Sequence, residues 1–226
     1  MISFRNVYYT YPGSKKQILN GASFVVEKGD FAVIKGMTGA GKSTILDLLT
    51  CSKKPDDGEI TFGDFQLTSL PRSKIANYRR TIGCVFQDFK LLEEKTVSEN
   101  VAFALEVQRK FNRKNISKNV SEVLERVGMK DESDHFPREL SLGGKQRIAI
   151  ARALVSEPLL LLADGATAQL DDETAYSIFK ILADENLRGM TIMLTTTTDQ
   201  FNRSFPRSTR YFELEAGKVD ENLPVL

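Results

Sequence analysis

The sequence of 226 residues has little of several things that mark common protein classes. Its two cysteines, Cys51 and Cys84, are too few for a disulfide framework or a zinc site, so we expect two small core residues in a reducing compartment. No apolar run approaches the roughly 20 residues that a membrane span needs. The N-terminus lacks a basic segment followed by an apolar one, so no secretory signal is expected. The 31 basic and 30 acidic residues balance, which argues against nucleic acid as a partner.

What the sequence does contain is an alternation of strand and helix patterns. Residues 1–35 are rich in β-forming residues, and from about 97 to 156 the apolar spacing becomes helical. Strand patterns return at 159–163 and 191–195, and four consecutive leucines, Leu159 to Leu162, suit a central strand buried on both faces. The alternation predicts an α/β fold with a mostly parallel sheet.

A glycine-rich loop at residues 36–44 carries the strongest chemical signal. It fits the pattern G-x-x-x-x-G-K-[ST], it follows the apolar run 31–34, and a helix pattern begins at Thr44. Small residues let backbone N–H groups surround an anion at a helix N-terminus, where the partial charge is positive. Lys42 then reaches the outer phosphates and the Ser43 hydroxyl ligates Mg²⁺. The loop predicts that the chain binds a nucleoside triphosphate.

Asp164 follows the leucine run at the predicted carboxyl end of its strand. Ligands of open α/β sheets bind at this end, and a carboxylate there can hold Mg²⁺ opposite the Ser43 hydroxyl. A lone aspartate after a strand is more often a helix cap. Its pairing with the phosphate loop favours the metal role.

These motifs, in this order, resemble the nucleotide-binding subunits of ABC transporters over the whole chain. The resemblance implies that Tyr11 stacks on adenine, that Gln87 senses Mg²⁺ and the membrane partner, and that residues 140–147 form the signature loop. Residues 168–171 resemble the D-loop. The implied ATP-binding residues are Tyr11, Gly36, Thr38, Gly39, Ala40, Gly41, Lys42, Ser43, Thr44, Gln87, Ser141 and Gly143. The implied Mg²⁺ ligands are Ser43, Gln87 and Asp164.

The same resemblance gives a fold and a domain plan. It implies a P-loop NTPase of ABC type, with a mostly parallel core sheet, an N-terminal antiparallel β subdomain and an α-helical subdomain. The chain would form one nucleotide-binding domain over residues 1–226. The core and β subdomain would take residues 1–87 and 157–226, and the helical subdomain about 88–156.

Among the subfamilies, the chain most resembles cell-division subunits of the FtsE type. The residues on which this resemblance rests are 86–88 with Leu91 and Leu92, Phe136-Pro137 before the signature, and 170–172. Lipoprotein-release and macrolide-export ATPases share most of these features. The resemblance implies an FtsX-like membrane partner, a homodimer or a heterodimer with another ABC ATPase, and a cytoplasmic location on the inner face of the plasma membrane.

The surface of Phe89, Leu91 and Leu92, just after Gln87, is a candidate dock for that partner. Internal packing of the three side chains is an equal alternative.

Two positions depart from the family where hydrolysis depends on them. The residue after Asp164, a glutamate in the family that polarises the attacking water, is Gly165. The switch histidine falls on Thr197 or Thr198, and the only histidine, His135, lies upstream of the signature, where we expect a surface or packing role. Loss of a positioned base costs roughly 10²–10⁴ in rate. We therefore predict that no family catalytic residue is intact and that binding and turnover separate.

The signature loop departs as well, since Leu142 stands where a glycine lets backbone amides approach the γ-phosphate of the partner's ATP. Two alternatives remain open for turnover and function. Asp171 or Glu173 would serve as a substitute base in a fully active transport ATPase of the lipoprotein-release type. A soluble ABC protein acting on nucleic acid or ribosomes is the other alternative, which the near-neutral charge disfavours.

Overall fold

The structure, a computed structural model, describes residues 1–107, 113–197 and 209–222. Within these ranges the strands are β1 (Ile2–Thr10), β2 (Gln17–Val26), β3 (Phe31–Lys35), β4 (Asp57–Phe62), β5 (Phe65–Gln66), β6 (Ile82–Val85), β7 (Leu160–Asp164), β8 (Thr191–Thr196), β9 (Thr209–Glu215) and β10 (Lys218–Asn222). The α-helices are α1 (Lys42–Leu49), α2 (Arg72–Arg79), α3 (Val97–Glu106), α4 (Arg113–Arg126), α5 (Leu142–Leu154) and α6 (Asp172–Leu187). Short 3₁₀ helices span Leu67–Ser69 and Pro137–Glu139.

A six-stranded sheet forms the centre of the fold, in the order β10-β9-β3-β8-β7-β6. Every neighbouring pair is parallel except β9 and β10, which form an antiparallel hairpin pair. The prediction of a mostly parallel sheet is confirmed. Because the strands are parallel, the carboxyl ends of β3, β7 and β8 meet at one edge, where Lys35 pairs with Thr196 and Asp164 pairs with Thr195.

A second, antiparallel sheet in the order β2-β1-β4-β5 is built by the N-terminal part of the chain. Its strands β1 and β2 alternate buried and exposed positions along much of their length, as expected for a sheet with one face on a core. Phe4 and Phe24 stack with ring centroids 4.6 Å apart on the buried face.

Two apolar cores lie on opposite faces of the six-stranded sheet. Along β3, Phe31 and Val33 belong to the core shared with α3, α4, α5 and α6, whereas Ala32 and Ile34 belong to the core shared with α1 and the antiparallel sheet. This alternation is the period of two that a strand imposes. It explains why the run 31–34 is apolar throughout.

The middle of the chain, between β6 and β7, is helical, as the apolar spacing predicts. The four residues that indicated a helix, Val120, Val123, Leu124 and Val127, are all buried, and Gly128 follows with a φ of +69°. Helix α3 begins at a capping box in which the side chain of Thr96 accepts from the Glu99 N–H and the Glu99 carboxylate accepts from the Thr96 N–H.

The prediction of four leucines buried in one strand was wrong at its first position. Leu159 precedes β7 and is 56% exposed, while Leu160, Leu161 and Leu162 are buried. Leu159 follows Pro158 and lies just before β7, and its N–H donates to Thr81 O at 2.8 Å. The pairing of β7 with its neighbouring strands begins only at Leu160. Over the described ranges, no helix combines the length and the apolar character that crossing a bilayer requires.

Candidate nucleotide-binding site

The phosphate loop is the turn between β3 and α1, at the carboxyl edge of the large sheet. The Gly36 N–H donates to Thr196 O at 3.3 Å, which ties the start of the loop to the end of β8. The Ala40 N–H donates to Met37 O at 3.0 Å, which closes the turn. The loop therefore stands directly before the N-terminus of α1, where unpaired N–H groups favour an anion.

Two positions of the loop require glycine, both because a Cβ would clash there and, at Gly41, because of the backbone conformation. A Cβ on Gly36 would lie 2.7 Å from the backbone oxygen of Leu214. A Cβ on Gly41 would lie 2.7 Å from Cγ2 of Ile18, and its φ of +111° is a conformation that side chains disfavour. The loop thus packs so tightly against β2 and β9 that only a bare backbone fits.

Lys42 folds its side chain back over the loop that precedes it. Its ammonium donates to Gly36 O at 2.7 Å and to Met37 O at 3.0 Å. Burial lowers the pKa of Lys42, and the nearby Asp164 carboxylate opposes that shift. The positive charge is therefore held at the loop, where the outer phosphates of a nucleotide are expected.

Tyr11 lies beside the same loop, with its hydroxyl hydrogen-bonded to the Thr44 hydroxyl at 2.9 Å. Tyr9 meets it edge-on, and the Lys53 ammonium lies over the Tyr11 ring, 4.9 Å from the centroid. Lys53 also pairs with Asp47 of α1. Stacking of adenine on Tyr11 stays a prediction, and any such base shares the ring with a cation that sequence reasoning did not find. No local pattern marks Lys53, because only the fold brings it to Tyr11.

A cavity of about 610 Å³ brings the three predicted Mg²⁺ ligands together; we call it the phosphate-loop cavity. Ser43, Gln87 and Asp164 all line it, and they offer a hydroxyl, an amide oxygen and a carboxylate. Oxygen donors of this kind fit a hard cation such as Mg²⁺. Among the described residues, no group of three or more His, Cys, Asp or Glu side chains could hold a metal. Further ligands would therefore come from nucleotide phosphates and water.

The position at which the family resemblance predicts a catalytic glutamate is Gly165, which has no side chain. Gly165 has a φ of +55°, and a Cβ placed on it would lie 3.4 Å from Oε1 of Gln87. Its N–H donates to the Thr195 hydroxyl at 3.0 Å. The Gln87 side chain therefore lies next to the place where the side chain of a catalytic carboxylate would begin.

The two carboxylates proposed as substitute bases are engaged elsewhere. Asp171 caps α6, accepting from the Thr174 N–H at 2.9 Å and from the Thr174 hydroxyl at 2.7 Å, and these hydrogen bonds lower the pKa of Asp171. Glu173 lines a different cavity, described below. The phosphate-loop cavity contains two carboxylates that sequence reasoning missed in this role, Asp47 and Asp88. Asp47 is paired with Lys53, so Asp88, directly after Gln87, is the more available of the two.

The switch position lies just beyond β8. Thr197 is exposed there and offers a hydroxyl rather than an imidazole. Thr198, the other register, falls outside the described residues.

The signature loop opens on a second cavity of about 670 Å³, which we call the signature cavity. The Ser141 hydroxyl caps α5 by accepting from the Gly144 N–H at 3.1 Å. Gly143 is buried, and a Cβ on it would lie 2.5 Å from Cγ2 of Thr174. Leu142, the first residue of α5, is 48% exposed. Ser141 and Gly143 line this cavity and not the phosphate-loop cavity, as expected of residues that would act on a partner's nucleotide.

His135 also lines the signature cavity and is exposed. Its carbonyl accepts from the Val97 N–H at 2.8 Å, so its backbone anchors the start of α3. This placement agrees with the predicted surface role.

A half-buried arginine fixes the segment that follows Gln87. The guanidinium of Arg152, on α5, donates to Lys90 O at 2.5 Å and to Phe89 O at 2.7 Å, and burial lowers its pKa. Phe89 and Leu91 pack against the helical core, whereas Leu92 lines an open groove. The candidate docking surface is thus divided, and of the three predicted side chains only Leu92 lines that groove.

The strand–glycine loop–helix unit, with an aspartate at the end of a neighbouring strand, defines a P-loop nucleotide-binding cassette. Comparison with known proteins sharpens this class, since the family described as ABC transporter matches residues 19–168. The chain belongs to the ABC transporter ATP-binding family.

Similar proteins include two kinds of curated relative and a solved cassette. The cell division ATP-binding protein FtsE of Streptococcus pneumoniae serotype 2 is 41% identical over 219 residues, covering 97% of this chain and 94% of that one. The methionine import ATP-binding protein MetN of Carboxydothermus hydrogenoformans is 41% identical over 198 residues, covering 87% of this chain and 58% of that one. A dimeric ATP-binding cassette in a post-hydrolysis state, bound to ADP and Pi, superposes with a TM-score of 0.88 at 31% identity, covering 98% of both chains.

Proposed function

We propose that this chain is the ATP-binding subunit of an FtsEX-like complex, which binds Mg-ATP, dimerises on it and couples to a membrane protein in cell division, with weak or absent hydrolysis. One observation carries the proposal. Ser43, Gln87 and Asp164 line one cavity, and the Lys42 ammonium lies at the phosphate loop near Asp164, while the residue after Asp164, Gly165, has no side chain.

Binding needs only groups that the site retains. The loop amides, the Lys42 ammonium and the oxygen donors of Ser43 and Asp164 hold phosphates and metal without taking part in water activation. Turnover needs a positioned base, whose loss costs roughly 10²–10⁴ in rate. Binding and hydrolysis therefore separate in this chain.

Phosphate release by the purified protein with Mg-ATP, measured beside the Kd for ATP, tests the proposal. We expect ATP binding with turnover far below about 1 s⁻¹, the lower end of the ordinary enzyme range. A turnover at or above that value contradicts the impaired site. A chain that binds no ATP contradicts the whole proposal.

An active transport ATPase is the second candidate, and the placement of Asp88 favours it. Its carboxylate lines the phosphate-loop cavity beside Gln87. If Asp88 acts as base, Asp88→Asn lowers phosphate release by roughly 10²-fold or more. The matched control is Asp64→Asn, an exposed aspartate between β4 and β5 that does not line this cavity. An equal rate in both variants excludes Asp88 as base.

Dimerisation is proposed from the separation of the two cavities. The phosphate-loop cavity holds one nucleotide, and the signature cavity would meet the nucleotide of another subunit. A homodimer would have two sites of the impaired kind. A heterodimer with an intact ABC ATPase would have mixed sites, because the partner would receive Leu142 in its own site.

The groove beside Leu92 is the proposed dock for the membrane partner. It has a volume of about 580 Å³ and exposed apolar walls at Phe103 and Val107. Five residues line both this groove and the phosphate-loop cavity. They are Arg79, Ile82, Cys84, Phe86 and Lys90. A segment seated in the groove would therefore press on the wall of the nucleotide site.

Charge indicates which segment would fit. The described residues that line the groove include Arg79, Arg80, Lys90 and Arg152 but no acidic residue. We infer a cytoplasmic segment of the FtsX-like protein with apolar residues flanked by Asp or Glu. This contact would hold the chain at the inner face of the plasma membrane.

Co-purification with an FtsX-like protein in detergent tests the dock. Phe103→Asp should abolish co-purification without changing the Kd for ATP, because it places a charge in the apolar wall. Tyr176→Asp is the matched control, since Tyr176 is an exposed aromatic on α6 outside the groove. Equal retention by both variants overturns the placement.

A further inference from the structure

Thr195 is a polar residue in a strand that is otherwise apolar at its centre. It lies in β8 directly beside Asp164 of β7 and is 1% exposed. Its hydroxyl donates to Oδ1 of Asp164 at 2.6 Å and accepts from the Gly165 N–H at 3.0 Å. One buried hydroxyl thus holds both the predicted metal carboxylate and the backbone of the position that lacks a base.

The strand itself gives no reason for a hydroxyl here. A parallel strand covered on both faces is normally a continuous apolar run, and Ile192, Met193 and Leu194 follow that rule. A buried hydroxyl is unfavourable unless its hydrogen-bonding capacity is used. The two bonds to Asp164 and Gly165 use both the donor and an acceptor of Thr195.

The hydrogen bond from Thr195 orients the Asp164 carboxylate. Donation from Thr195 fixes Oδ1 and with it the rotation of the Asp164 side chain. Among the described residues, Oδ2 of Asp164 makes no hydrogen bond, so this oxygen is left for a cation or its water. The Gly165 N–H is also committed to Thr195 and is therefore not a donor to phosphate.

We propose that Thr195 is a positioning residue for Mg²⁺, which aims Oδ2 of Asp164 into the phosphate-loop cavity. The inference rests on the proposed binding of Mg-ATP and extends it to a residue outside the phosphate loop. Hydrogen bonds to ligating carboxylates fix ligand orientation, and their loss typically costs about 10- to 100-fold in metal affinity.

The test is the Mg²⁺ dependence of nucleotide binding. The Kd of a fluorescent ATP analogue is measured with saturating Mg²⁺ and with EDTA, and the apparent Mg²⁺ affinity of the ATP-bound protein is titrated. Thr195→Val keeps the shape and removes the hydroxyl. It should weaken Mg²⁺ binding by about 10-fold and leave the Kd in EDTA unchanged. Thr195→Ser should behave like the wild-type chain.

The matched control is Thr191→Val, at the opposite end of β8. Thr191 is equally buried, and its hydroxyl accepts from the Gly29 N–H at 2.9 Å, away from the cavity. This control should leave the Mg²⁺ dependence unchanged. If Thr195→Val fails to fold, Thr195→Cys replaces it, because a thiol is a weaker donor and should give weaker Mg²⁺ binding than Thr195→Ser.

Three results overturn the inference. They are an unchanged Mg²⁺ affinity in Thr195→Val, equal losses of ATP affinity in Mg²⁺ and in EDTA, and identical behaviour of the serine and cysteine variants. Failure of the proposed function looks different, since the wild-type chain would then bind the analogue under neither condition.

Discussion

The phosphate-loop cavity and the signature cavity differ in how much of the family's chemistry each retains. In the first, Ser43 and Asp164 come from the ends of α1 and β7 at one sheet edge, Lys42 precedes Ser43 on the phosphate loop, and all three are residue types that phosphate and metal binding need. In the second, Ser141 is in place, but Leu142 projects from the first turn of α5. We therefore expect nucleotide binding within one subunit and contact with a second subunit's nucleotide to be separable properties.

The largest expected effect comes from removing the Lys42 ammonium at the phosphate loop. Lys42→Ala should weaken ATP binding by roughly 10- to 150-fold, because hydrogen bonds to charged groups are worth about 1.5–3 kcal/mol. Lys145→Ala, in the first turns of α5, is the matched control on the signature side and should leave the Kd of the isolated subunit unchanged. Isothermal titration calorimetry measures both. Equal losses would show that the two cavities do not act separately.

Thiol chemistry reports on the phosphate-loop cavity and not on the signature cavity, because Cys84 lines the wall that the first cavity shares with the groove and neither cysteine lines the signature cavity. Burial raises the pKa of Cys84 to about 11 from its ordinary value of 9.0. A raised pKa means less thiolate at pH 8, by about 100-fold for two pKa units. In Cys51→Ser, alkylation of Cys84 should therefore be slow and should accelerate about tenfold per pH unit between pH 7 and 9.

Alkylation of Cys84 in the presence of nucleotide separates the phosphate-loop cavity from the signature cavity further. Saturating Mg-ATP should slow the labelling of Cys84 further, and Leu142→Ala should not alter that protection. Fast labelling at neutral pH, followed by mass spectrometry, would contradict the raised pKa of Cys84.

A smaller effect is expected at the signature side. Leu142→Ala removes most of the exposed side chain while keeping a good helix former at the start of α5. Freer approach of a phosphate to a helix N-terminus is worth about 0.3–1 kcal/mol, so ATP-dependent dimerisation should tighten about two- to fivefold. Leu187→Ala, at another exposed leucine at the end of α6, is the control. Sedimentation with and without Mg-ATP measures the shift, and no difference between the variants rejects Leu142 as an obstacle.

Sequence reasoning predicted most of the fold because the decisive signals are local. The apolar run 31–34 and the loop 36–44 specify β3, the turn and α1 by themselves, and Val120 to Val127 reveal α4 by their spacing. The clustering of Ser43, Gln87 and Asp164 follows from parallel strands that share one carboxyl edge.

The rest of the site depends on contacts between residues far apart in the chain. Lys53 over Tyr11, Thr195 on Asp164 and Arg152 on Phe89 and Lys90 each join separate elements, and no spacing in the sequence marks them. At Leu159 the sequence predicted burial that the structure does not have, because four consecutive leucines do not reveal at which of them the strand begins.

The smallest effect concerns the missing base itself. Gly165 has a φ of +55°, so any side chain there adopts a left-handed backbone that costs roughly 1 kcal/mol or more. Gly165→Ala should lower Tm by about 2–4 °C. Gly63→Ala is a close control, because Gly63 has a φ of +53° and open space around its Cβ position. Equal shifts in calorimetry would assign the cost to the backbone alone. A larger shift at Gly165 would show that contact with Gln87 adds to it. Gly165→Ala is also the reference for a gain of activity. If the absent carboxylate limits turnover, Gly165→Glu with Thr197→His should release phosphate faster than Gly165→Ala does.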